Sequence, residues 1–411
     1  MDTDSTKGII ELGTLFIKCL IVKINSDSTV KVLSTSTTKS EGIHNGTIIN
    51  LKNATNAIRT AISNAENKTD ISLKKINVVI EQPEFLCTKF SKHKRINGSK
   101  IKQEDIEFLL KEAKKQVIFN DNRQSIIHIF NHNYIVDGKT FIEEPINVFA
   151  DYLSHEMTFI TMPKNNIKNI NQAFIDCDIE VERYISSVFA QGAKILNENE
   201  LKFGSILIDI GHEKTSLGLF KNFALVHSIT FEVGINHITK DISKVCSLSI
   251  EESEIIKNRI NFSFEDDDVL FDENNFLKKD FFNKTGFRKI SKTLINNIIK
   301  ARLDEIFEVI KKQLITTEIK PDTGSTIFIV GGGSNLKNLN EYCSIFFGKS
   351  VRKFDTNNKN EAENKSKRTF DSCLGALKII KDGWETEAIP EREEKNIEKI
   401  GFFSRFFGNR G

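Results

Sequence analysis

Residues 205–230 read SILIDIGHEKTSLGLFKNFALVHSIT. An apolar run ends on Asp209, Gly211 follows, and strand-like alternation resumes at Thr215. A lone carboxylate at the end of an apolar strand, beside a Gly-Thr turn, is an arrangement that faces a phosphate and a metal ion. The turn, however, is Gly211-His212-Glu213-Lys214-Thr215, with bulk and charge where a phosphate needs bare backbone. The stretch thus marks a strand–turn–strand unit of an α/β protein and leaves open what the turn holds.

The same unit occurs earlier in the chain. Residues 8–23, GIIELGTLFIKCLIVK, read as two strands joined at Leu12-Gly13-Thr14. Residues 50–66 place Ala54, Ile58, Ala61, Ile62 and Ala65 on one helical face behind Asn50 as N-cap, and KKINVVIE is a buried strand. After residue 205 the hairpin is again followed by a helix, NHITKDISKVCSLSIEESEIIKN. A hairpin–strand–helix order near 8–80 and again near 203–260 predicts two related halves facing a cleft. Residues 82–161 differ in texture, with a helix KQEDIEFLLKEAKKQ and a strand that ends at an Asp137-Gly138 turn, and read as a small inserted α+β module. Residues 168–199 read as helix, strand and helix, and 287–315 as one long helix. The acidic run EDDDVLFDENN reads as a solvated loop, and STIFIVGGGSNLKNL as a strand entering a triple-glycine turn and a helix.

Composition narrows the class. A chain of 411 residues exceeds one ordinary core, and 39% hydrophobic with 28% charged residues describes a globular protein. A formal net charge of +2 argues against nucleic acid as partner. Six scattered cysteines without a C-x-x-C pair suit free thiols in a reducing cytosol and give no zinc site. No apolar run is long enough to span a bilayer, and MDTDSTKG lacks a signal-peptide core, so a cytoplasmic location is expected.

Three turns carry the candidate chemistry: Gly13-Thr14 after Glu11; Asp209-Ile210-Gly211 with Thr215; and Gly331-Gly332-Gly333-Ser334. Two hairpin turns with free N–H groups can grip phosphate oxygens from opposite sides. A glycine-rich strand-to-helix turn admits a base and ribose and aims a helix N-terminus at negative charge. Glu254 and Lys257, three apart on a helix, could reach the ribose and base; a surface i,i+3 ion pair has the same spacing.

At this point the chain resembles FtsA, the actin-like bacterial cell-division family, over nearly its whole length. SEGIHNGTIINLKNATNAIRTAISNAE resembles the family's S-x-G-[IM]-x-x-G-x-I-x-[DN] segment and the helix after it, which ends here at Ala65-Glu66. EVERYISSVFAQGAKILNENELKFGSILIDIG is similar to the approach to its second phosphate loop. GINHITKDISKVCSLSIEESEIIK is similar to its G-x-N-x-x-T-x-D-[IL] helix and A-E-x-[IV]-K pattern, with serine for the alanine. HIFNHNYIVDG, with Pro145 following, resembles its inserted subdomain. The resemblance implies an actin-like, two-lobed α/β ATPase fold with ATP between the lobes. On that reading 8–81 with 162–192 form one core subdomain, 82–161 the insert, 193–240 with 322–380 the second core subdomain and 241–321 a partner-binding subdomain. Residues 381–396 are then a polar linker and 397–411 an amphipathic helix.

Two departures from the family bear on chemistry. Its second loop reads Asp-Ile-Gly-Gly-Gly-Thr; here His212-Glu213-Lys214 replaces two of the glycines. Glu213 beside a phosphate would cost about 4 kcal/mol at ~4 Å and an effective dielectric of 20, offset if Lys214 points inward. Glu11 stands where the family has aspartate. With Asp209 it would hold magnesium through water, but its extra methylene displaces the carboxylate by about 1.5 Å. The expectation is ATP binding with at most weak hydrolysis, and no residue stands out as catalytic.

The resemblance also implies partners. The helix FRKISKTLINNIIKARLDEIFEVIKKQL resembles the part of the family's fourth subdomain that receives the C-terminal peptide of the tubulin-like FtsZ, with Arg288, Arg302 and Glu305 at the matching positions. Two arginines four helical turns apart could clamp an acidic peptide; exposed helix charges would look the same. In IEKIGFFSRFFGNRG, Ile397, Ile400, Phe403, Phe406 and Phe407 share one face, with Phe402 within the aromatic cluster. Lys399, Arg405 and Arg410 would meet an anionic leaflet at about 1 kcal/mol each. The family carries its membrane-targeting helix here. The expected role is an adaptor that self-associates into filaments, tethers the FtsZ ring to the cytoplasmic side of the inner membrane at the division site, and recruits later division proteins. A small-molecule kinase of the same superfamily, or an actin-like adaptor of a pilus or secretion machine, are the alternatives.

Overall fold

The computed structural model describes residues 5–27, 29–141, 143–260, 270–316, 325–353 and 370–382. Two five-stranded sheets of the same topology dominate it. In the first, β1 (Ser5–Leu12), β2 (Phe16–Ile24) and β3 (Val30–Lys39) form an antiparallel meander. A two-stranded ribbon, β4 (Ile43–His44) and β5 (Thr47–Ile48), leads to α1 (Leu51–Glu66). Asn50 caps α1 by accepting from the Asn53 N–H at 3.0 Å, and Ala54, Ile58, Ala61, Ile62 and Ala65 are buried on one face, as the 3.6-residue pattern requires. The next strand, β6 (Lys75–Ile80), lies parallel to β1.

The chain then leaves this sheet for an insert. Strands β7 (Leu86–Lys100), β8 (Gln124–Val136), β9 (Lys139–Phe141) and β10 (Phe149–Pro163) form a four-stranded sheet in the order β7-β10-β8-β9, with α2 (Gln103–Asn120) between β7 and β8. Asp137 and Gly138, both at positive φ, make the two-residue turn between β8 and β9, a conformation that Asp-Gly adopts at little cost. The chain returns through α3 (Lys164–Ile175) to β11 (Glu180–Ser186), which pairs parallel with β6, and continues into α4 (Ser187–Ile195).

After α5 (Glu198–Phe203) the plan repeats. Strands β12 (Ser205–Ile210), β13 (Thr215–Lys221) and β14 (Ala224–Phe231) form a second meander. Helices α6 (Asn236–Cys246), α7 (Ile250–Arg259) and α8 (Lys292–Thr316) precede β15 (Thr326–Val330), which lies parallel to β12. Helix α9 (Leu339–Phe347), β16 (Val351–Lys353) parallel to β15, and α10 (Asp371–Lys381) complete it. The sheet orders β11-β6-β1-β2-β3 and β14-β13-β12-β15-β16 are therefore one design used twice. The two halves seen in the sequence extend beyond 203–260, to Lys353.

The closing helices of the two halves, α4 and α10, pack against each other. A Cβ on Gly375 would lie 1.8 Å from the Ala190 carbonyl oxygen, and one on Gly192 would lie 2.1 Å from the Phe220 ring. Only glycine lets these backbones approach so closely.

Three local readings are corrected. The segment after β14 is not one helix: Ser247 at φ 52° ends α6, and Ser249 with Glu252 forms a capping box that starts α7. The S-x-x-E signal was present in Ser249-Ile250-Glu251-Glu252. The long helix starts at Lys292, not 287, because Phe276 and Ser291 pair as an isolated bridge just before it. Within the acidic run, Leu270 and Phe271 are buried and Phe271 bridges Leu277, so this end of the run is folded. The linker and C-terminal helix foreseen at 381–396 and 397–411 lie, apart from Lys381 and Asp382, outside the described residues.

Candidate interlobe site

The two hairpin turns meet at matched strand ends. Glu11 near the end of β1 pairs across the ladder with Lys18 of β2, and Lys18 Nζ donates to Glu11 Oε2 at 3.0 Å. The pair is mostly buried, with 21% and 15% of the two side chains exposed. Burial works against the Lys18 ammonium, but Glu11 outweighs it and holds its pKa above the usual lysine value. Beyond Leu12 the turn carries Gly13 and Thr14; the Thr14 hydroxyl is buried and has no hydrogen-bond partner.

Asp209, near the end of β12, occupies the equivalent place in the second sheet. Its Oδ2 accepts from Gln191 Nε2 at 2.8 Å, and that amide also reaches Ser372 Oγ at 3.1 Å, so α4 and α10 both support the carboxylate. Burial raises the Asp209 pKa, aided by the charge of Glu11 and opposed by the Gln191 bond and by Lys214 and Lys18. A Cβ on Gly331 would lie 2.1 Å from Asp209 Oδ1, and φ is +81° there, so glycine is required at the end of β15.

The second turn is fully engaged. Gly211 N–H donates to the Lys214 carbonyl at 2.8 Å, while the Gly211 and His212 carbonyls accept from Ile235 and Asn236 N–H at 2.9 and 2.8 Å. Thr215 is buried and its hydroxyl donates to the Val233 carbonyl at 2.7 Å. Glu213 turns toward α6, where Lys240 Nζ donates to both its oxygens at 2.9 Å and Asn236 Nδ2 to one at 2.7 Å. Burial works against its ionised form, yet these bonds and the Lys240 charge hold its carboxyl below the usual range. The charge of Glu213, expected to face the turn, is thus met on α6 instead.

Lys214 does the opposite and points inward. Its Nζ donates to the backbone carbonyl of Glu81, which follows β6 of the first sheet. This bond crosses from one half of the molecule to the other. Burial pushes the Lys214 ammonium below the usual lysine range, against the pull of Glu81, Asp209, Glu11 and Glu84. Glu81 is itself buried. Its Oε2 accepts from Ser186 Oγ at 2.7 Å and from the Val188 N–H at 3.1 Å, while burial drives its pKa up.

The third turn departs from the helix start foreseen for it. Gly332–Asn335 form a short 3-10 turn, and α9 begins only at Leu339. No α-helix N-terminus follows the glycines directly. Gly333 packs on Ile210, and Ser334 Oγ donates to the Gly331 carbonyl at 2.8 Å; a Cβ on Gly332 would meet nothing within 4 Å. Glu254 and Lys257 pair with each other at 2.7 Å on α7, and the Thr239 hydroxyl adds a bond to Glu254 at 2.6 Å. Lys257 is buried while 39% of the Glu254 side chain is exposed, so the pair joins a buried ammonium to a carboxylate at the surface.

The donor set does not suit magnesium. Glu11 is held by Lys18, Asp209 by Gln191, and the Lys214 ammonium stands among the carboxylates. Among the described residues no group of three His, Cys, Asp or Glu side chains could hold a metal ion. It suits an anion better: an unpartnered buried hydroxyl at Thr14, open space at Gly332 and the Lys214 ammonium.

Sequence reasoning did not single out Lys18, Glu81, Gln191 or Ser372. Two signals were available: a lysine inside the apolar strand FIKCLIVK, and a carboxylate closing KKINVVIE. Away from the cleft, Arg302 makes a two-pronged bridge to Asp241 at 2.7 and 3.0 Å and a third contact to Glu305 at 2.5 Å. Arg288 precedes α8 and donates to the carbonyls of Cys246 and Gly286, each at 3.3 Å. The two arginines therefore do not stand four turns apart on one helix, and Arg302 is committed to α6. The lipid-facing set (Ile397, Lys399, Ile400, Phe402, Phe403, Arg405, Phe406, Phe407, Arg410) lies outside the described residues.

Comparison with known proteins bears on the family and the fold. A family model described as cell division protein FtsA matches residues 206–375, and one described as the SHS2 domain inserted in FTSA matches 86–161. The chain is 26% identical over 378 residues to the cell division protein FtsA of Buchnera aphidicola subsp. Baizongia pistaciae (strain Bp), covering 90% of this chain and 88% of the relative. It is 27% identical over 355 residues to that of Streptococcus pneumoniae serotype 2, covering 85% and 75%. Among solved structures, the PilM-PilN type IV pilus biogenesis complex is similar at a TM-score of 0.63 with 12% identity, covering 92% of this chain and 98% of that one. MreB5 of Spiroplasma citri bound to AMPPNP is similar at 0.51 with 15% identity, covering 91% and 96%. At such identities these structures show the fold alone, which is actin-like.

Proposed function

Because the chain belongs to the FtsA family of actin-like cell-division proteins, we propose that it is a nucleotide-binding adaptor of the division ring. In this reading it binds ATP between the two sheets, self-associates into filaments, and tethers FtsZ polymers to the cytoplasmic face of the inner membrane through residues 397–411. In this reading the insert and the 241–321 region, whose first residues belong to α6 (Asn236–Cys246), are available to other division proteins. The observation that carries the nucleotide part is the pair of turns at the matched ends of β1 and β12, one with an unpartnered buried hydroxyl at Thr14. The solved MreB5 of the same fold was bound to AMPPNP, which supports a nucleotide as ligand here.

The membrane part rests on the sequence of the tail. Four phenylalanines within six residues, flanked by Lys399, Arg405 and Arg410, make an apolar face with a basic rim. No described helix is long and apolar enough to cross a membrane. One tail gives marginal binding, and an array of tails on a filament binds firmly. Liposome flotation of the full chain against a chain ending at Lys395 tests it. The full chain floats with anionic vesicles and the shortened chain stays below; equal flotation removes the tether. Of the three matched positions, Arg302 is bonded to Asp241 and Glu305, so Arg288 is the residue through which an acidic FtsZ peptide would be met, and charge reversal at Arg288 weakens that binding. A kinase reading finds no intact Asp-x-Gly-x-[ST] first turn here, which is Glu11-Leu12-Gly13-Thr14.

A further inference from the structure

Magnesium is the usual companion of a nucleotide, and the residues foreseen to hold it are already engaged. In the first sheet Glu11 is neutralised across the ladder by Lys18 at 3.0 Å. In the second, Asp209 is held by the Gln191 amide at 2.8 Å. Lys214 comes from the turn where a bare-backbone loop was expected, and its ammonium reaches the Glu81 carbonyl of the opposite half. The carboxylates that act on that ammonium are Glu81, Asp209, Glu11 and Glu84. A divalent ion in such a cleft would offset these charges and join the halves; Lys214 places one positive charge among them and makes a bond from one half to the other. An ammonium carries three donors, and the Glu81 carbonyl takes one of them. The others are available to a phosphate oxygen.

We propose that Lys214 is a tethered cation that stands in for the divalent metal, so that this protein binds a nucleoside triphosphate without magnesium. The inference rests on the nucleotide reading above and adds to it the means of charge neutralisation. The substitution His212-Glu213-Lys214 then has a single physical sense: α6 withdraws the added acid, Glu213, while the added base, Lys214, takes the metal's place.

Two measurements on the full chain test this. The first titrates manganese into the protein alone and reads free manganese by electron paramagnetic resonance; no stoichiometric site is expected. The second titrates a fluorescent ATP analogue in EDTA and in excess magnesium, for the parent chain and for Lys214→Gln, which keeps a donor for the Glu81 carbonyl and removes the charge. The parent is expected to bind within about twofold of the same affinity in both buffers. Lys214→Gln should lose about tenfold in EDTA and recover part of that loss in magnesium. A stoichiometric manganese site, parent affinity that rises tenfold or more with magnesium, or a variant indistinguishable from the parent overturns the tethered-cation inference and leaves nucleotide binding standing. Absence of saturable binding in both buffers overturns the nucleotide reading and this inference together.

Discussion

The first hairpin turn and the second occupy equivalent places in two sheets of the same topology, yet they solve the same electrostatic problem differently. In the first, the carboxylate Glu11 is matched by a lysine of its own ladder, and the turn beyond it keeps Thr14 unpartnered. In the second, Asp209 has Ser216 across the ladder instead, its support comes from Gln191 on a helix of the other half, and its turn sends Lys214 across the cleft. The parallel strand added to each meander differs too: β6 runs into the buried acid Glu81, β15 into glycines 331–333, of which Gly331 and Gly333 are packed against β12 and Gly332 is open. Duplicated topology fixes where groups stand. Charge balance between the halves decides what those groups are.

The largest effect should come from closing the gap beside Asp209. Gly331→Ala places a Cβ 2.1 Å from the carboxylate at a φ of +81°, and a loss of about 3 kcal/mol or more is expected in urea unfolding. Gly332→Ala, with nothing within 4 Å, should change stability by less than ~0.5 kcal/mol. Equal effects would mean that the glycine turn is not held against Asp209.

Next come the two lysines, whose pH dependences have opposite sign. Lys18 has its pKa raised, so the stability it contributes is present below the ordinary lysine value of 10.5 and is lost as pH rises through its folded pKa. Lys214 has its pKa lowered, so between its folded value and 10.5 the unfolded chain binds more protons and stability rises with pH. Lys18→Met should cost about 1–3 kcal/mol at neutral pH, below a fully buried pair because some exposure remains, and should remove the alkaline fall. Lys214→Met should remove the rise. Urea midpoints measured from neutral to alkaline pH distinguish the two, and slopes of the same sign would break the contrast.

The threonines sharpen it further. Thr215→Val removes the bond to the Val233 carbonyl and should cost about 1–2 kcal/mol. Thr14→Val removes a hydroxyl with no partner, so stability should hold or rise slightly while affinity for the ATP analogue falls. A small effect is also expected at Glu213→Ala, a loss of less than ~1 kcal/mol through Lys240 and Asn236, with analogue affinity unchanged. A gain in affinity there would place Glu213 at the phosphates after all.

Much of the architecture was legible because it depends on local periodicity. The face of α1 with Ala54, Ile58 and Ala61, the Asp137-Gly138 turn, and the hairpins around Gly13 and Gly211 follow from spacing and turn chemistry within a few residues. The break between α6 and α7 was equally local, written in Ser249 and Glu252, and was obscured by the apolar pattern running through it. The cleft was legible only in part. Asp209 and the glycines announced themselves, whereas Glu81 and Gln191 matter only because β6 and α4 carry them to a turn more than a hundred, and in the second case nearly twenty, residues away.

By itself, then, the sequence determined the elements, the doubling of the sheet and the family, since these arise from interactions between residues near in the chain or from motifs read in order. Only the tertiary structure decided the fate of the charges. Glu213 and Lys214 are neighbours with no local preference for either side of their strand turn. Helix α6 offers a lysine to one and the far half offers a carbonyl to the other, and a charge follows the partner that best replaces its water.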